Sequence, residues 1–500
     1  MGISVFFTGP ERQVVETFAG TWHLLADRKV LPEELPDPRG GKLDWSAFGD
    51  RFEELTAVFL PSPAAANLPC QAFRSLLSGY ELFRVETPER EVVLTDDFKL
   101  AAKAAGKRKT SETSLLDYLL FQYPAGNDTF LPGVSRLGAG EALVEESRET
   151  AGPVFWQAEW FRLPSPASFQ DALETLHRVL PDAVNNALQG AADTAVLFSG
   201  GIDSTLIAHF ARGRSIALHA AIDSAELDYE EDYARSACRE LEIPLVRVLF
   251  SESSFLSELE DTLEKIGRPF PVTNFQAIFH NRLFRLPYGL YLSGDIADRL
   301  FGKGNEAAPS GIESPASGLV RYCPVELLKE IFGPDLVESR LRLFDETLEK
   351  AAGPEAERYP ADLKTDLLIV FGLNYWVHFF RPLAAVYGKK FIAPYQRKRV
   401  FEAALSCRYR NRLCGTHSKP LLWAMLRDLL PGYPASGKKG GSGVPRTRFC
   451  QTGPMKDFFL DHDLPSGIPR RFEEIFREPR WETSALVLQA AVYRIWEEGL

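Results

Sequence analysis

Residues 195–210 read AVLFSGGIDSTLIAHF: an apolar run, a turn containing Gly200 and Gly201, and a second apolar run with helical spacing. This order predicts a buried strand, a tight turn and a helix. Glycines let backbone N–H groups face an anion, and the helix adds its positive N-terminal end. We therefore predict a phosphate site formed by Leu197, Ser199, Gly200, Gly201, Asp203 and Ser204.

Asp203 has two possible roles at the start of this helix. It can cap the helix, or it can hold a magnesium ion that bridges phosphate oxygens. Taken alone, capping is the commoner role for such a residue. The turn is not a P-loop, because that motif requires the pattern GxxxxGK[ST].

Outward from this turn, apolar strands alternate with helical segments from Thr194 onwards, which predicts a parallel sheet covered on both faces. Ligands of such sheets bind at the carboxyl ends of the strands. Residues 1–165 instead show short alternating strands, which favour sheets half-buried on each face. We predict an α/β protein with two domains, residues 1–165 and 166–500. The polar segment 303–318 is expected to be a loop, either a lid or a plain insertion.

The composition excludes several classes of protein. The chain has 500 residues, 45% hydrophobic and 25% charged, with a formal net charge of −11, so it is a soluble globular type with no overall attraction for nucleic acid. Its 6 cysteines show no zinc-ligand spacing. The sequence shows neither a signal peptide nor an apolar run long enough to span a membrane. We expect a cytoplasmic protein without a membrane partner.

A second strand, turn and helix is expected in GLYLSGDIADRLFGKG, residues 289–304. Asp295 and Asp298 are three residues apart, so both are expected on one side of the first helical turn. One interpretation is purely structural: both aspartates cap the N-terminus of the helix. The alternative is that both carboxylates serve chemistry beside the first turn.

A third block, THSKPLLWAMLRDLLPGYPASGKKGGSGVP at residues 416–445, places Lys419 and Lys439 beside glycine-rich or polar stretches. Between Arg381 and Arg448 the chain has 15 Lys and Arg against only Glu402 and Asp428. We expect mobile lysines here that neutralise phosphate charge, and the basic block as a whole suits a ligand such as ATP. A solvated basic face and a transfer RNA partner are the alternatives, and the overall acidity disfavours the RNA.

These motifs carry a family resemblance. SGGIDS resembles the pyrophosphate-binding loop of the ATP pyrophosphatases, and SGDIADRLFGKG resembles the SGxGxDExFGG segment of the asparagine synthetase superfamily. The resemblance implies that ATP binds at the first loop and at Gly294, that Asp203 and Asp298 hold Mg²⁺, and that Lys419 and Lys439 are catalytic. Lys439 precedes GGSGVP, which resembles the superfamily's K-x-G-F-G-V-P with Ser442 in place of Phe.

Asp295 falls where asparagine synthetases have Glu and β-lactam synthetases have Tyr. A carboxylate at this position is a candidate base for an attacking amine. The β-lactam synthetases pair that Tyr with a Glu after Gly-Leu-Asn, whereas here Tyr375 follows Asn374. The spacer between Asp298 and that position is also longer here than in β-lactam synthetases.

The amino-terminal half resembles the glutamine amidotransferase domain of asparagine synthetases. In active versions a cysteine follows Met1 and attacks glutamine. This chain has Gly2, and its first cysteine is Cys70. The resemblance implies a degenerate Ntn-type sandwich of sheets and helices, fused to a carboxy-terminal ATP-pyrophosphatase domain, without glutaminase activity.

Three members of the superfamily suit this architecture: lasso peptide cyclases, β-lactam or carbapenam synthetases, and ammonia-using asparagine synthetases. The missing cysteine, the long spacer, Asp295 and the absent GLNE sequence favour the cyclase, an AMP-forming ligase that closes a macrolactam in a precursor peptide. A leader peptidase is then a possible partner. A catalytically inactive scaffold is the non-enzyme alternative, and it is disfavoured by Asp203, Asp298, Lys419 and Lys439 occurring together. The acyl substrate, ring size and oligomeric state do not follow from the sequence.

Overall fold

The computed structural model describes residues 3–38, 43–65, 68–106, 110–145, 153–160, 162, 164–223, 229–271, 276–302, 324–353, 377–407, 413–414, 417–433 and 445–499. The strands in these ranges are β1 Ile3–Phe6, β2 Arg12–Glu16, β3 Gly20–Ala26, β4 Leu55–Pro61, β5 Cys70–Arg74, β6 Phe83–Glu86, β7 Val92–Thr95, β8 Val134–Arg136, β9 Glu141–Glu145, β10 Val154–Gln157, β11 Thr194–Leu197, β12 Ile216–Ile222, β13 Leu245–Phe250, β14 Leu290–Leu292, β15 Lys390–Ile392, β16 Leu413–Cys414 and β17 His417–Ser418.

The α-helices are α1 Trp45–Gly49, α2 Phe98–Ala105, α3 Glu112–Phe121, α4 Phe169–Ala187, α5 Ile202–Phe210, α6 Tyr229–Leu241, α7 Phe255–Ile266, α8 Gln276–Leu283, α9 Ala297–Phe301, α10 Val325–Phe332, α11 Pro334–Ala352, α12 Val377–Val386, α13 Lys398–Ser406, α14 Pro420–Leu429, α15 Arg446–Gln451, α16 Phe458–Asp461, α17 Glu473–Arg477 and α18 Ser484–Glu498. Within the described ranges, every helix is too short or too polar to cross a bilayer.

Two sheets formed by residues 3–157 stack on each other. One has the order β1-β7-β6-β8, and the other is antiparallel with the order β10-β9-β5-β4-β3-β2. Leu25 and Val58 of the larger sheet pack with Val92 and Leu94 of the smaller one. Helix α1 covers the outer face of the larger sheet, where Trp45 stacks on Phe73 at 5.4 Å.

This stacking corrects one prediction. Strands β5 and β7 are buried along their whole length, whereas the alternation favoured sheets half-buried on each face. The reason is that each sheet has a neighbouring layer on both sides, so alternation of polar and apolar residues does not report burial there.

The predicted parallel sheet is confirmed, with the order β13-β12-β11-β14-β15. Helix α5 follows β11 and helix α9 follows β14, which is the neighbouring strand. Since both strands run in the same direction, the turns after them lie at one edge of the sheet. The mixed α/β class is therefore as predicted.

Ion pairs, both buried and exposed, connect the two stacked sheets to the part of the chain around the parallel sheet. Arg381 of α12 forms an ion pair with Glu54, which also binds Arg397 at 3.2 Å. Lys398 lies 2.7 Å from Asp50. These contacts correct the idea that the basic block as a whole serves ATP, because three of its cations neutralise carboxylates of the amino-terminal half instead.

Candidate active site

The turn after β11 is shaped by its two glycines. Gly200 has a φ of +71°, and a Cβ there would lie 2.5 Å from the backbone nitrogen of Ala234 in α6. A side chain at this position would therefore be strained and would clash with backbone. Gly201 is the N-cap of α5, and no side chain caps the helix.

Hydrogen bonds within the turn join its two serines. The backbone nitrogen of Ser199 donates to Oγ of Ser204 at 3.3 Å, and Oγ of Ser204 donates to the carbonyl of Gly201 at 3.1 Å. The backbone nitrogen of Gly201 donates to Oγ of Ser199 at 3.3 Å. These long bonds hold a compact turn at a helix N-terminus, the setting in which backbone N–H groups bind phosphate.

Asp203 contacts Lys419, which in turn contacts Asp298. Nζ of Lys419 lies 2.5 Å from Oδ2 of Asp203 and also forms an ion pair with Oδ1 of Asp298. The Lys419 side chain is 3% exposed, whereas that of Asp298 is 50% exposed. The structure thus unites residues from all three motifs singled out in the sequence.

The lysine differs from the predicted mobile residue. Lys419 is buried, has a left-handed backbone with a φ of +57°, and immediately precedes α14. Burial favours the neutral amine, but the two carboxylates outweigh burial and raise the pKa of Lys419 above its ordinary value. The ammonium is therefore charged and held in place.

Asp203 does not cap the helix, although capping is the commoner role for such a residue, because the N-cap is Gly201 and the Asp203 carboxylate binds Lys419.

The turn of the second motif can lie close to Asp203 because it has glycine at position 294. A Cβ on Gly294 would lie 2.9 Å from Cβ of Asp203 and 3.0 Å from the nitrogen of Ser204. The turn after β14 packs directly on the start of α5, which only glycine permits.

Asp295 corrects another expectation. Helix α9 begins at Ala297, so Asp295 precedes the helix and does not share its first turn with Asp298. Ile296 between them has a φ of +76°, an uncommon and strained conformation for a β-branched residue. The helical periodicity of the sequence did not indicate this conformation.

The Asp295 carboxylate accepts a hydrogen bond from Oγ of Ser293 at 2.7 Å. Burial, together with the nearby charges of Asp298 and Asp203, outweighs that bond and raises the pKa of Asp295 to about 6. A carboxylate with this pKa is a stronger base than an ordinary aspartate. It remains ionised at neutral pH, as a general base must.

The chemistry of Asp203 and Asp298 fits a magnesium ion. In the part of the chain that the structure describes, no group of three or more His, Cys, Asp and Glu side chains could hold a metal ion. Magnesium usually binds one or two carboxylates and takes its other ligands from water and phosphate. The two carboxylates beside the phosphate-type turn have the chemistry of the protein ligands that such a site uses.

Two tyrosines that the sequence did not single out support the turn. The hydroxyl of Tyr395 donates to the carbonyl of Asp203 at 3.1 Å. The hydroxyl of Tyr433 donates to the carbonyl of Gly200 at 2.5 Å. Both contacts span about two hundred residues of chain, so no local pattern could indicate them.

Other predicted features lie outside the described residues. They are Gly2, the loop 303–318, Asn374, Tyr375, Lys439 and Ser442. Leu197 is described, and it is buried as the last residue of β11.

No curated protein matches the chain. Residues 175–368 match the family model described as asparagine synthase, a range that includes Asp203, Asp295 and Asp298. Members of that family are ATP-dependent ligases that form amides. The match shows that residues 175–368 are similar to this family.

Proposed function

We propose that this protein is an AMP-forming carbon–nitrogen ligase that closes a macrolactam in a precursor peptide, as lasso peptide cyclases do. It would adenylate the side-chain carboxylate of an Asp or Glu in the peptide. The N-terminal amine of the same peptide would then displace AMP and form the amide.

The observation that carries this proposal is the cluster of Asp203, Lys419 and Asp298 beside the phosphate-type turn. ATP brings about four negative charges, which require cations and N–H donors in one place. The turn supplies N–H groups and Lys419 supplies a fixed positive charge. Bound magnesium would supply further positive charge between phosphate oxygens and the two carboxylates.

The reaction has two steps. A carboxylate oxygen of the peptide attacks the α-phosphorus of ATP, and the bond to the bridging oxygen of pyrophosphate breaks. The peptide amine then attacks the acyl carbon, AMP leaves, and the amine loses a proton. Asp295 is the candidate acceptor of that proton, because its raised pKa keeps it basic near neutral pH.

Asp295 also supports the cyclase over its relatives. Asparagine synthetases have Glu and β-lactam synthetases have Tyr at this position, and the GLNYW sequence lacks the Glu that partners such a Tyr. A tethered amine replaces a bimolecular encounter by positioning. An enzyme without a glutaminase cysteine can therefore work without a supply of ammonia.

The test is incubation of a candidate precursor peptide with the protein, ATP and Mg²⁺, followed by mass spectrometry. We expect loss of one water from the peptide, a ring between its N-terminus and an acidic side chain, and equal amounts of AMP and pyrophosphate. Asp298→Asn should abolish all three products. Formation of ADP would refute the adenylation step. Cyclisation of a small β-amino acid, or conversion of aspartate and ammonia to asparagine, would refute the cyclase proposal and retain the superfamily chemistry.

A leader peptidase would be the natural partner, because a free N-terminal amine must be exposed before the ring can close. A gene for a short precursor peptide and a gene for a peptidase beside the gene for this chain would support the proposal. Nucleic acid and membrane have no part in it.

A further inference from the structure

The hydroxyl of Tyr433 binds the one peptide unit of the phosphate-type turn that has glycine on both sides. Its hydrogen bond to the Gly200 carbonyl is 2.5 Å long. The peptide between Gly200 and Gly201 can rotate at little steric cost, because neither residue carries a Cβ. Without a partner for the carbonyl, this unit would still be held by the bond from its N–H to Oγ of Ser199, which at 3.3 Å is long.

The orientation of this peptide matters for anion binding. In a trans peptide the C=O and N–H bonds point in opposite directions. When Tyr433 holds the Gly200 carbonyl on one side, the N–H of Gly201 must point to the other, where it now reaches Oγ of Ser199 at 3.3 Å. A turned-over peptide would present a carbonyl oxygen where the N–H should be, and an oxygen repels phosphate.

Tyr433 is itself held firmly. It follows α14, its backbone nitrogen donates to the Leu430 carbonyl at 3.1 Å, and its ring centroid lies 6.2 Å from that of Trp423. Burial raises the pKa of its hydroxyl, so the group stays protonated and remains a donor. Helix α14 also follows directly after Lys419, so one short segment contacts the turn at both Asp203 and Gly200.

We infer that Tyr433 is a positioning residue that fixes the Gly200–Gly201 peptide so that its N–H faces the β and γ phosphates of ATP. This inference rests on the proposed function, because it takes the turn to be the pyrophosphate site. Tyr433 acts through Gly200 and need not touch the ligand.

The test uses Tyr433→Phe in the full chain, with Tyr118→Phe as the matched control. Tyr118 is a residue of α3, and its hydroxyl likewise donates to a backbone carbonyl, that of Phe270, at 2.7 Å. Each variant loses a hydroxyl that donates to a backbone carbonyl, part-buried at Tyr433 and buried at Tyr118, so a decrease in melting temperature is expected for both. Calorimetric titrations in magnesium buffer with pyrophosphate, ATP and AMP then separate positioning from general stability.

We expect Tyr433→Phe to weaken binding of pyrophosphate and ATP by about fivefold to tenfold, which is the usual worth of one hydrogen bond. AMP lacks the β and γ phosphates, so its affinity should not change. Tyr118→Phe should leave all three affinities unchanged. Unaltered pyrophosphate binding in Tyr433→Phe, or an equal loss for AMP, would overturn the inference while leaving the proposed function intact. Failure of the unaltered protein to bind ATP or pyrophosphate would overturn the proposed function as well.

Discussion

The ammonium of Lys419 lies 2.5 Å from the carboxylate of Asp203, although 216 residues separate the two in the chain. The same ammonium binds Asp298, so a protein cation joins the two carboxylates proposed to hold magnesium. Without bound magnesium, the positive charge of Lys419 contacts both carboxylates. Its contribution should therefore be measurable as stability and as a response to Mg²⁺.

Lys419→Met should destabilise the metal-free protein by about 2 kcal/mol, because it leaves two neighbouring carboxylates without their shared partner. The half-exposed Asp298 keeps the cost below that of a fully buried pair. Mg²⁺ should then raise the melting temperature of the variant more than that of the unaltered protein, since the ion can replace the lost ammonium. Thermal unfolding with and without Mg²⁺ measures both effects.

The matched control is Lys398→Met, which removes the ion pair with Asp50 at the surface. Such exposed pairs contribute less than about 1 kcal/mol, and we expect no change in the response to Mg²⁺. Suppose that Lys419→Met has the stability of the unaltered protein and that Mg²⁺ raises the melting temperature of both equally. That result would contradict a stabilising contact of Lys419 with Asp203 and Asp298.

Asp295→Asn should be more stable and less active. A folded pKa of about 6 exceeds the ordinary value of 3.8, so the folded state favours the protonated acid. Its stabilising effect is complete below pH 4 and is lost as the pH rises through 6. Without Mg²⁺, the Asn variant should nearly match the unaltered protein near pH 4 and exceed it by about 3 kcal/mol at pH 8.

The same substitution should slow ligation by about a hundredfold and remove an acid limb near pH 6 from the pH profile of turnover. That limb arises because only the ionised carboxylate can accept a proton. Urea unfolding at the two pH values and a pH–rate series provide the measurements. An Asn variant that retains the acid limb would show that another group is the base.

The sequence predicted the elements of this site better than their geometry. The strand, turn and helix around Gly200 and those around Gly294 are all present, because glycine spacing and apolar runs are local signals. The αL conformation of Ile296 could not be predicted, since no residue preference favours it. Neither could the burial of Lys419, because long-range packing decides whether a lysine is solvated.

Lys439→Ala should reduce turnover by about a hundredfold or more, as loss of a charge partner in the transition state typically does. The adjacent Lys438 provides a matched control with the same charge and the same neighbourhood in the chain. Lys438→Ala should retain turnover within about threefold, because only Lys439 is in register with the superfamily's motif. Steady-state release of pyrophosphate measures both. Equal losses in the two variants would show that general positive charge matters rather than one lysine.

Arg381→Met should destabilise the protein without weakening ATP binding. The substitution leaves Glu54 buried with a reduced set of partners, and breaking a buried pair costs about 3 kcal/mol or more. Arg212→Met is the control, since its pair with Glu242 is exposed and should contribute less than about 1 kcal/mol. Urea unfolding and ATP titration distinguish the two roles. A large loss of ATP affinity in a folded Arg381→Met protein would restore the idea that this part of the basic block serves the nucleotide.

Glutamine should not serve as an amine donor. Cys70 is buried in β5. Burial, reinforced by the charge of Glu145, raises the pKa of the Cys70 thiol, so it does not supply the thiolate that attack on an amide requires. Release of glutamate from glutamine, measured with and without ATP and Mg²⁺, should stay at background, and Cys70→Ala should be indistinguishable. An ATP-dependent release of glutamate that disappears in Cys70→Ala would show instead that this strand opens to expose its thiol, and would contradict the prediction that the amino-terminal half lacks glutaminase activity.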